Sequence, residues 1–503
     1  MAAEPVDPLD ALRGRTQAIR EDMGGAERVA ALHAGGRVTA RERLDLLLDD
    51  GSFSEVGTFA RSIRPEDAAK TPGDGKVGGF GRIDGRPVVA VSDDVTVKRA
   101  SSSTVGGRKL KRLFEAGVTE GVPIVLFGET GGARIPDMMG SEGFSSIAPL
   151  VYPCLRERKV PFATVITGES FGASSFFAVV SDFVVQVRGS CLAVSSARVI
   201  SSATGQTITS EELGGADVHA RVTGQIDRIA ETEAEACELV ARFLSYLPSN
   251  FSQAAPRTLR VEEPEAPEEV GSVVPPDRRR AYDMRKVLRR VLDRDSWFEL
   301  GPLYGRTLLT GLARIGGHPV GVLASQPMQQ AGILTPQACD KAVRLICLCD
   351  AFGLPLIFLH DTPGFMVGRQ VEHERLLSKA MLFKQAVVMT AVPRLAVILR
   401  KSFGLANHVM SGVGMDADLL VAWPGAEISF MDPSPAANVV STDELEQVAG
   451  DVRPYGAAGV MALDEIIEPS TTRDVLRAAL DRAAARPSSG PRSRPLASWP
   501  MCW

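Results

Sequence analysis

The 503-residue chain has no basic surplus: 56 Lys and Arg stand against 61 Asp and Glu, a net charge of −5 with a pI near 5.9. That balance leaves no surplus to neutralise phosphates and argues against a nucleic-acid-binding role. No run of about 18 apolar residues occurs, which excludes a membrane-spanning helix. The N-terminal stretch MAAEPVDPLDALRG is acidic and lacks an apolar core, so it is not read as a signal peptide. A soluble, cytoplasmic protein is expected. The seven cysteines are odd in number and scattered, and none form CxxC, so neither a disulfide framework nor a zinc knuckle is predicted. They are expected to be small buried hydrophobes. The six histidines form no HxH or HxxxH pair, and no metal site is expected. Aromatics are scarce at 6%, whereas 48 glycines point to many turns and close backbone approaches. Hydrophobic residues at 45% and charged ones at 23% exclude disorder over most of the length. The length fits two to four domains, at roughly 100–200 residues each.

What is present is a repeat. FGRIDGRPVVAV (Phe80–Val91) lies over LARIGGHPVGVL (Leu312–Leu323) at an offset of 232. Without a gap, Lys109 falls over Lys341, Gly121–Phe127 over Gly353–Leu359, and Thr130 and Gly132 over Thr362 and Gly364. Ser170-Phe171-Gly172 meets Ser402-Phe403-Gly404 in the same register. Upstream, Leu48–Gly57 lies over Leu292–Gly301 at an offset of 244, so the first half carries twelve extra residues, placed between Pro65 and Gly75. A Pro/Glu-rich passage, Leu247–Asp277, reads as a linker, and the chain after Arg486 as a flexible tail. Two homologous domains are therefore predicted at 1–260 and 275–485, with a tail at 486–503.

Hydrophobic period sets the elements of each half. Arg86–Val97, Ile124–Phe127, Phe162–Thr167 and Phe183–Val187 read as buried strands, and Gly107–Gly117 as a helix. Leu356–Leu359, Arg394–Leu399 and Leu419–Ala422 repeat the pattern. Strands alternating with helices predict an α/β fold with largely parallel sheets. Periodicity does not separate a doubly wound sheet from a spiral of ββα turns.

Each half places two glycine-containing loops after buried strands: Gly128–Arg134 and Gly168–Ser175, then His360–Phe365 and Arg400–Asn407. A strand, a glycine and a helix expose free N–H groups at the helix start, which hold a phosphate or an oxyanion. A tight turn needing glycine for steric reasons explains the same pattern. None of these loops fits GxGxxG or the Walker motif. Ser170 and Ser402 match, but neither lies in GxSxG and no histidine recommends itself as their base. His408 is a pocket-lining or packing residue before it is a catalyst. Glu129 and Asp361, at strand ends, are candidates for helix caps or for chemistry. Lys98–Arg112 holds six basic residues, suited either to nucleotide phosphates or to a solvated helix face.

At these residues the chain resembles the carboxyltransferase (β) subunits of biotin-dependent acyl-CoA carboxylases, of propionyl-CoA and acetyl-CoA type, from about Gly35 to Pro469. The carrying segments are Thr39–Gly57, Thr130–Asp137 and Glu211–Asp227 in the first half. In the second they are Tyr282–Asp293, Cys349–Gly368 and Arg400–Gly412. The resemblance implies two crotonase-like domains of ββα spiral units. It implies carboxyl transfer from carboxybiotin to an acyl-CoA, through two oxyanion holes and with no side-chain base. The first hole is implied to be the N–H groups of Gly172 and Ala173, and the second those of Leu405 and Ala406. Gly131, Gly132, Ala133, Lys98, Arg99, His408, Gly364 and Phe365 are implied to bind substrate. A biotin carboxylase and carrier (α) subunit is implied as partner, since no MKM biotinylation motif or ATP-grasp loop is present, and assembly as a hexamer with active sites across dimers. The chain departs from the family pattern at Ala173, at Leu377–Met381 and at His408, which puts the acyl group in question more than the reaction. The same sites run backwards give an acyl-CoA decarboxylase or transcarboxylase, and a non-catalytic paralogue within a carboxylase is the reading of another class.

Overall fold

Each half opens on a hairpin because two residues between apolar runs take left-handed backbone. Strands β2 (Lys76–Ile83) and β3 (Arg86–Asp93) are joined by Asp84 and Gly85, at φ 49° and 75°. Their counterparts β10 (Leu308–Ile315) and β11 (His318–Ser325) turn on Gly316 and Gly317, at φ 57° and 82°. Two consecutive positive φ values make the tight turn that matches strand twist. The Asp-Gly pair inside FGRIDGRPVV is the signal that finds this antiparallel hairpin, which the expectation of one strand and largely parallel sheets omitted. The computed structural model describes residues 7–146, 157–432, 452–486 and 492–499.

In the first unit β1 (Ser54–Glu55) pairs antiparallel with β2. From β3 onward the sheet is parallel through β4 (Ile124–Gly131), β5 (Phe162–Phe171), β6 (Phe183–Val187) and β8 (Arg228–Ala230). The short β7 (Cys191–Ala193) pairs with the far end of β5. Helix α1 (Ala40–Leu47) starts on a Thr39–Glu42 capping box, α2 (Thr104–Glu120) links β3 to β4, and α3 (Ala173–Val180) follows β5. Leu110, Leu113 and Phe114 of α2 and Phe177 of α3 close over β3 and β4 in one apolar core.

The second unit repeats this with β9 (Phe298–Leu300), β10 and β11, then parallel β12 (Leu356–Thr362), β13 (Arg394–Phe403), β14 (Leu419–Ala422) and β16 (Glu465–Ile466). Here β15 (Glu427–Ser429) pairs with the far end of β13. Its helices include α4 (Pro336–Phe352), α5 (Leu376–Met389) and α6 (Gly404–Val409). The 232 offset maps α2 onto α4 and the starts of β2, β3, β4 and β5 onto those of β10, β11, β12 and β13. The repeat is structural, and each copy is a hairpin followed by βα units.

The units part between Leu244 and Ser245. The passage predicted as a linker belongs to the second unit: Thr258 N–H donates to Gly317 O (3.1 Å), Glu265 N–H to Arg289 O (3.1 Å), and Val270 is buried in its core. The tail expected to be flexible is packed in part. Leu496 is buried and its N–H donates to Asp350 Oδ2 (2.9 Å), while Arg492 reaches Ala351 O (3.0 Å) at the end of α4. A helix C-terminus leaves carbonyls in want of donors, and Arg492 supplies one to Ala351 O. Cys191, Cys237, Cys339, Cys347 and Cys349 are buried free thiols; Cys154 and Cys502 lie outside the described residues. No helix among the described residues is long and apolar enough to cross a membrane.

Candidate active site

A glycine follows both β5 and β13, in left-handed backbone that a residue without a Cβ adopts comfortably. Gly172 has φ 69° and Gly404 φ 55°. The chain then turns directly into a helix, α3 or α6, whose first N–H groups have no intrahelical acceptor. Gly172 and Ala173 are half-buried, within reach of solvent. In the second unit Leu405 is equally open, whereas Ala406 is fully buried. The offset pairs Gly172 with Gly404 and Ala173 with Leu405, so Leu405 is the reachable one of the two predicted donors. As neutral backbone N–H groups, these donors suit an oxyanion on an otherwise uncharged group, such as a thioester enolate or a biotin ureido oxygen.

The neighbouring loops are drawn against these turns by strand register. Thr130 and Gly131 pair with Ser170 and Phe171, across a bulge at Glu129. Thr362 pairs with Ser402 across the matching bulge at Asp361. In each unit a threonine hydroxyl accepts the N–H of the glycine two residues on, Thr130 from Gly132 (3.2 Å) and Thr362 from Gly364 (3.3 Å). Ala133 bridges Ser102 and Phe365 bridges Leu334, again 232 residues apart. Gly132 and Gly364 therefore spend their N–H groups on loop shape. Gly131 is exposed, and with Arg99 it lines a cavity of 840 Å³ in the first unit that also takes in Arg37, Glu169 and Arg188.

The carboxylates at the bulges cap no helix; each is held in buried ion pairs. Glu129 meets Arg37 and Arg43, and Asp361 meets Arg400 (2.9 Å) and the N–H of Lys401 (3.3 Å). The basic stretch Lys98–Arg112 is likewise not one patch. Lys98 pairs with Asp67 (2.8 Å), and Arg99, at the surface, with Glu169 (2.7 Å). Lys109 is buried, its Nζ donating to Lys76 O (2.6 Å) and Gly57 O (3.1 Å), and burial pushes its pKa down to about 8. Of the basic residues on α2, Arg108 and Arg112 stand exposed and Lys111 is half-buried. His408 is half-buried on α6, and burial together with Lys384 of α5 lowers its pKa.

One histidine went unread in the sequence. His360, fully buried at the end of β12, places Nδ1 2.9 Å from Ser402 Oγ. The signal lay in the repeat: Thr362 over Thr130 fixes the β12–β13 register, which sets His360 beside Ser402 at the bulge. Burial pushes its pKa down to about 4, so the ring is neutral at pH 7. Between pH 6.5 and 4 the unfolded chain binds a proton that the folded one refuses, so stability falls as pH falls through that window. The loss reaches about 3 kcal/mol below pH 4 and is absent above 6.5. His360→Asn is expected to remove that increment, seen as a smaller fall in Tm between pH 7 and pH 4.5 than in the parent. Equal falls in both proteins refute the neutral buried imidazole.

The family described as carboxyl transferase domain matches residues 31–494. The chain is 33% identical to the methylmalonyl-CoA carboxyltransferase 12S subunit of Propionibacterium freudenreichii subsp. shermanii, covering 96% of this chain and 97% of that one. It is 36% identical to the biotin-dependent long chain acyl-coenzyme A carboxylase beta4 subunit of Mycobacterium tuberculosis (strain ATCC 25618 / H37Rv), over 94% and 93% of the two chains. Among solved structures, the hexameric transcarboxylase 12S with hydrolyzed methylmalonyl-coenzyme A bound superposes with a TM-score of 0.90, at 33% identity and 97% of both chains. The match confirms the crotonase-like fold of both units. With strand-end donor loops in both repeats and this likeness over nearly the whole length, the chain belongs to the carboxyltransferase (β) subunits of biotin-dependent acyl-CoA carboxylases and is an enzyme of that class.

Proposed function

We propose that this chain transfers the carboxyl group of carboxybiotin to the α-carbon of an acyl-CoA, with the first unit taking the thioester and the second the biotin. The observation that carries the reading is the matched pair of strand–glycine–helix turns, each with solvent-reachable N–H groups and no titratable side chain needed beside them. Gly172 and Ala173 hold the thioester oxygen, and their donors favour the enolate more than the ground state because charge grows there. Leu405, with Ala406 behind it, offers the second set. Carboxybiotin, when bound, supplies the carboxyl group, and its freed ring nitrogen accepts the α-proton. Gly131, Gly132 and Ala133 shape the wall beside the thioester, and Lys98 and Arg99 lie toward the coenzyme A phosphates. Gly364 and Phe365 shape the biotin side. The biotin rides on a separate carboxylase and carrier (α) subunit, and the chain works as a cytoplasmic homo-hexamer. Transcarboxylation or decarboxylation of an acyl-CoA uses these sites in the other direction.

The resemblance builds each active site across a dimer and sets His408 by the acyl group, so the acyl group is read from His408 and Lys384. A half-buried imidazole beside an ammonium favours a polar or carboxylated acyl chain over a long aliphatic one. The test is carboxylation of an acyl-CoA panel by the chain with biotin carboxylase and carrier partners, in parent and His408→Ile. Carrier-dependent turnover is expected, moving toward aliphatic acyl groups in the variant. Turnover without any biotin protein overturns the partner assignment, and inactivity with every partner favours a non-catalytic role. An unmoved preference in His408→Ile removes the specificity reading alone.

A further inference from the structure

The two donor turns are superimposable in sequence register but are braced by different chemistry. In the first unit the brace is an acid. Asp93, fully buried, accepts from Ser174 Oγ in the first turn of α3 (2.7 Å), from Glu129 N–H (3.1 Å) and from Lys76 Nζ (2.5 Å). That ties the start of α3 to β2, β3 and β4. The 232 offset puts Leu308, Ser325 and Ala406 at the positions of Lys76, Asp93 and Ser174, so the brace's cation, its carboxylate and the α3 hydroxyl are lost, and only a serine hydroxyl stands where the acid was. Ser325 Oγ is buried and has no partner among the described residues.

A second set of groups occupies the neighbouring space. His360, standing where the first unit has Gly128, lies 2.9 Å from Ser402 Oγ, and Ser402 Oγ donates to Asn407 Oδ1 at 2.9 Å. The orientation of Asn407 follows from its other contacts, with Oδ1 toward Val413 N–H and Nδ2 toward Val413 O. With the Ser402 proton directed at Asn407 Oδ1, Ser402 Oγ is left to accept from His360 in the Nδ1–H tautomer. The chain of bonds spans both ends of the turn Phe403–Ala406, from the last strand residues to α6. In the first unit Ser170, the counterpart of Ser402, has no partner for its Oγ among the described residues.

We propose that His360 is a positioning residue for the second donor turn, holding Leu405 N–H in place through Ser402 and Asn407, in the role that Asp93 and Ser174 fill for the first turn. It rests on the assignment of Leu405 as a donor to the biotin-side oxyanion. A misplacement of about 1 Å in such a donor costs on the order of a hundredfold in rate. His360 touches neither substrate, so its loss acts on one half of the reaction only.

The test uses the full chain with its biotin carboxylase and carrier partners, with kcat and the two KM values, for carrier-borne carboxybiotin and for acyl-CoA, measured separately. His360→Leu and Ser402→Ala are each expected to lower kcat by about tenfold or more, with acyl-CoA KM within about twofold of the parent. His360→Asn, whose amide nitrogen reaches the Nδ1 position, is expected to recover most of that loss. A role in packing alone predicts the reverse order, with Leu better than Asn, and that order overturns the proposal. Ser402→Ala removes the link without adding volume, so parental kcat there overturns it as well. Leu405→Pro separates the two layers. If it is inactive while His360→Leu keeps the parental kcat, only the positioning role falls; if Leu405→Pro turns over normally, the donor assignment falls and takes the positioning role with it.

Discussion

Ala173→Pro and Leu405→Pro are each expected to cut carboxyl transfer by about a hundredfold to a thousandfold while leaving the fold intact. Ala173 is the first residue of α3 and Leu405 the second of α6, places where a helix leaves N–H groups without acceptors. Proline is accommodated in the first turn of a helix because the missing N–H has no partner and the fixed φ is helical. What the substitution removes is the donor. Losing one oxyanion donor costs about 10²–10³ in kcat where charge develops in the transition state. Circular dichroism and Tm should stay near the parent. The two variants should differ in which half fails: Leu405→Pro slows release of the carboxyl group from carrier-borne biotin, whereas Ala173→Pro leaves that release near the parent and blocks the acyl-CoA half. Full turnover in Ala173→Pro refutes the first hole, and the second stands or falls separately.

The asymmetry of the braces bears on what was legible from the residues. The repeat, the parallel strands and both glycine turns were visible because each has a local cause: a hydrophobic period, a left-handed backbone, a helix start. The hairpins were legible too, in Asp84-Gly85 and Gly316-Gly317, but only to a reading that weighed turn chemistry against strand period. The brace around His360 was not, since its three members come from β12, β13 and α6 and meet only through a bulge. Lys109 shows the opposite failure. Read along the chain it is one of six basic residues; on α2 it faces inward, and the backbone carbonyls of Gly57 and Lys76 in the folded unit explain an amine there. Its repeat Lys341 does the same, with Nζ on Gly301 O and Tyr304 O at 2.9 Å each and a pKa pushed down by burial to about 7. Charge at the surface is a property of the fold, so a basic run in sequence does not make a patch.

Arg43→Leu should destabilise the first unit by about 3–5 kcal/mol. Its guanidinium is fully buried in α1, bonded to Glu233, to Glu129 (3.0 Å) and to Asp93 O (3.3 Å). Removing it leaves Glu233 buried without its cation, and Glu129 with Arg37 alone. The loss comes from uncompensated carboxylates more than from the pair itself, because gathering three charges from water is costly in the first place. Two further variants separate these effects. Arg43→Lys keeps the charge but lacks the planar fork that spans two carboxylates, and should fall between parent and Leu. Adding Glu233→Leu to Arg43→Leu removes one stranded charge and should restore part of the stability, against the ordinary rule that two core substitutions do more damage than one. The same network ends on Glu129, whose bulge sets Thr130 and Gly131 beside the donor turn, so the unfolding midpoint and the acyl-CoA KM should move together across the series. A stability loss in Arg43→Leu below about 1 kcal/mol, or a double variant less stable than the single one, contradicts the assignment of the cost to stranded charge.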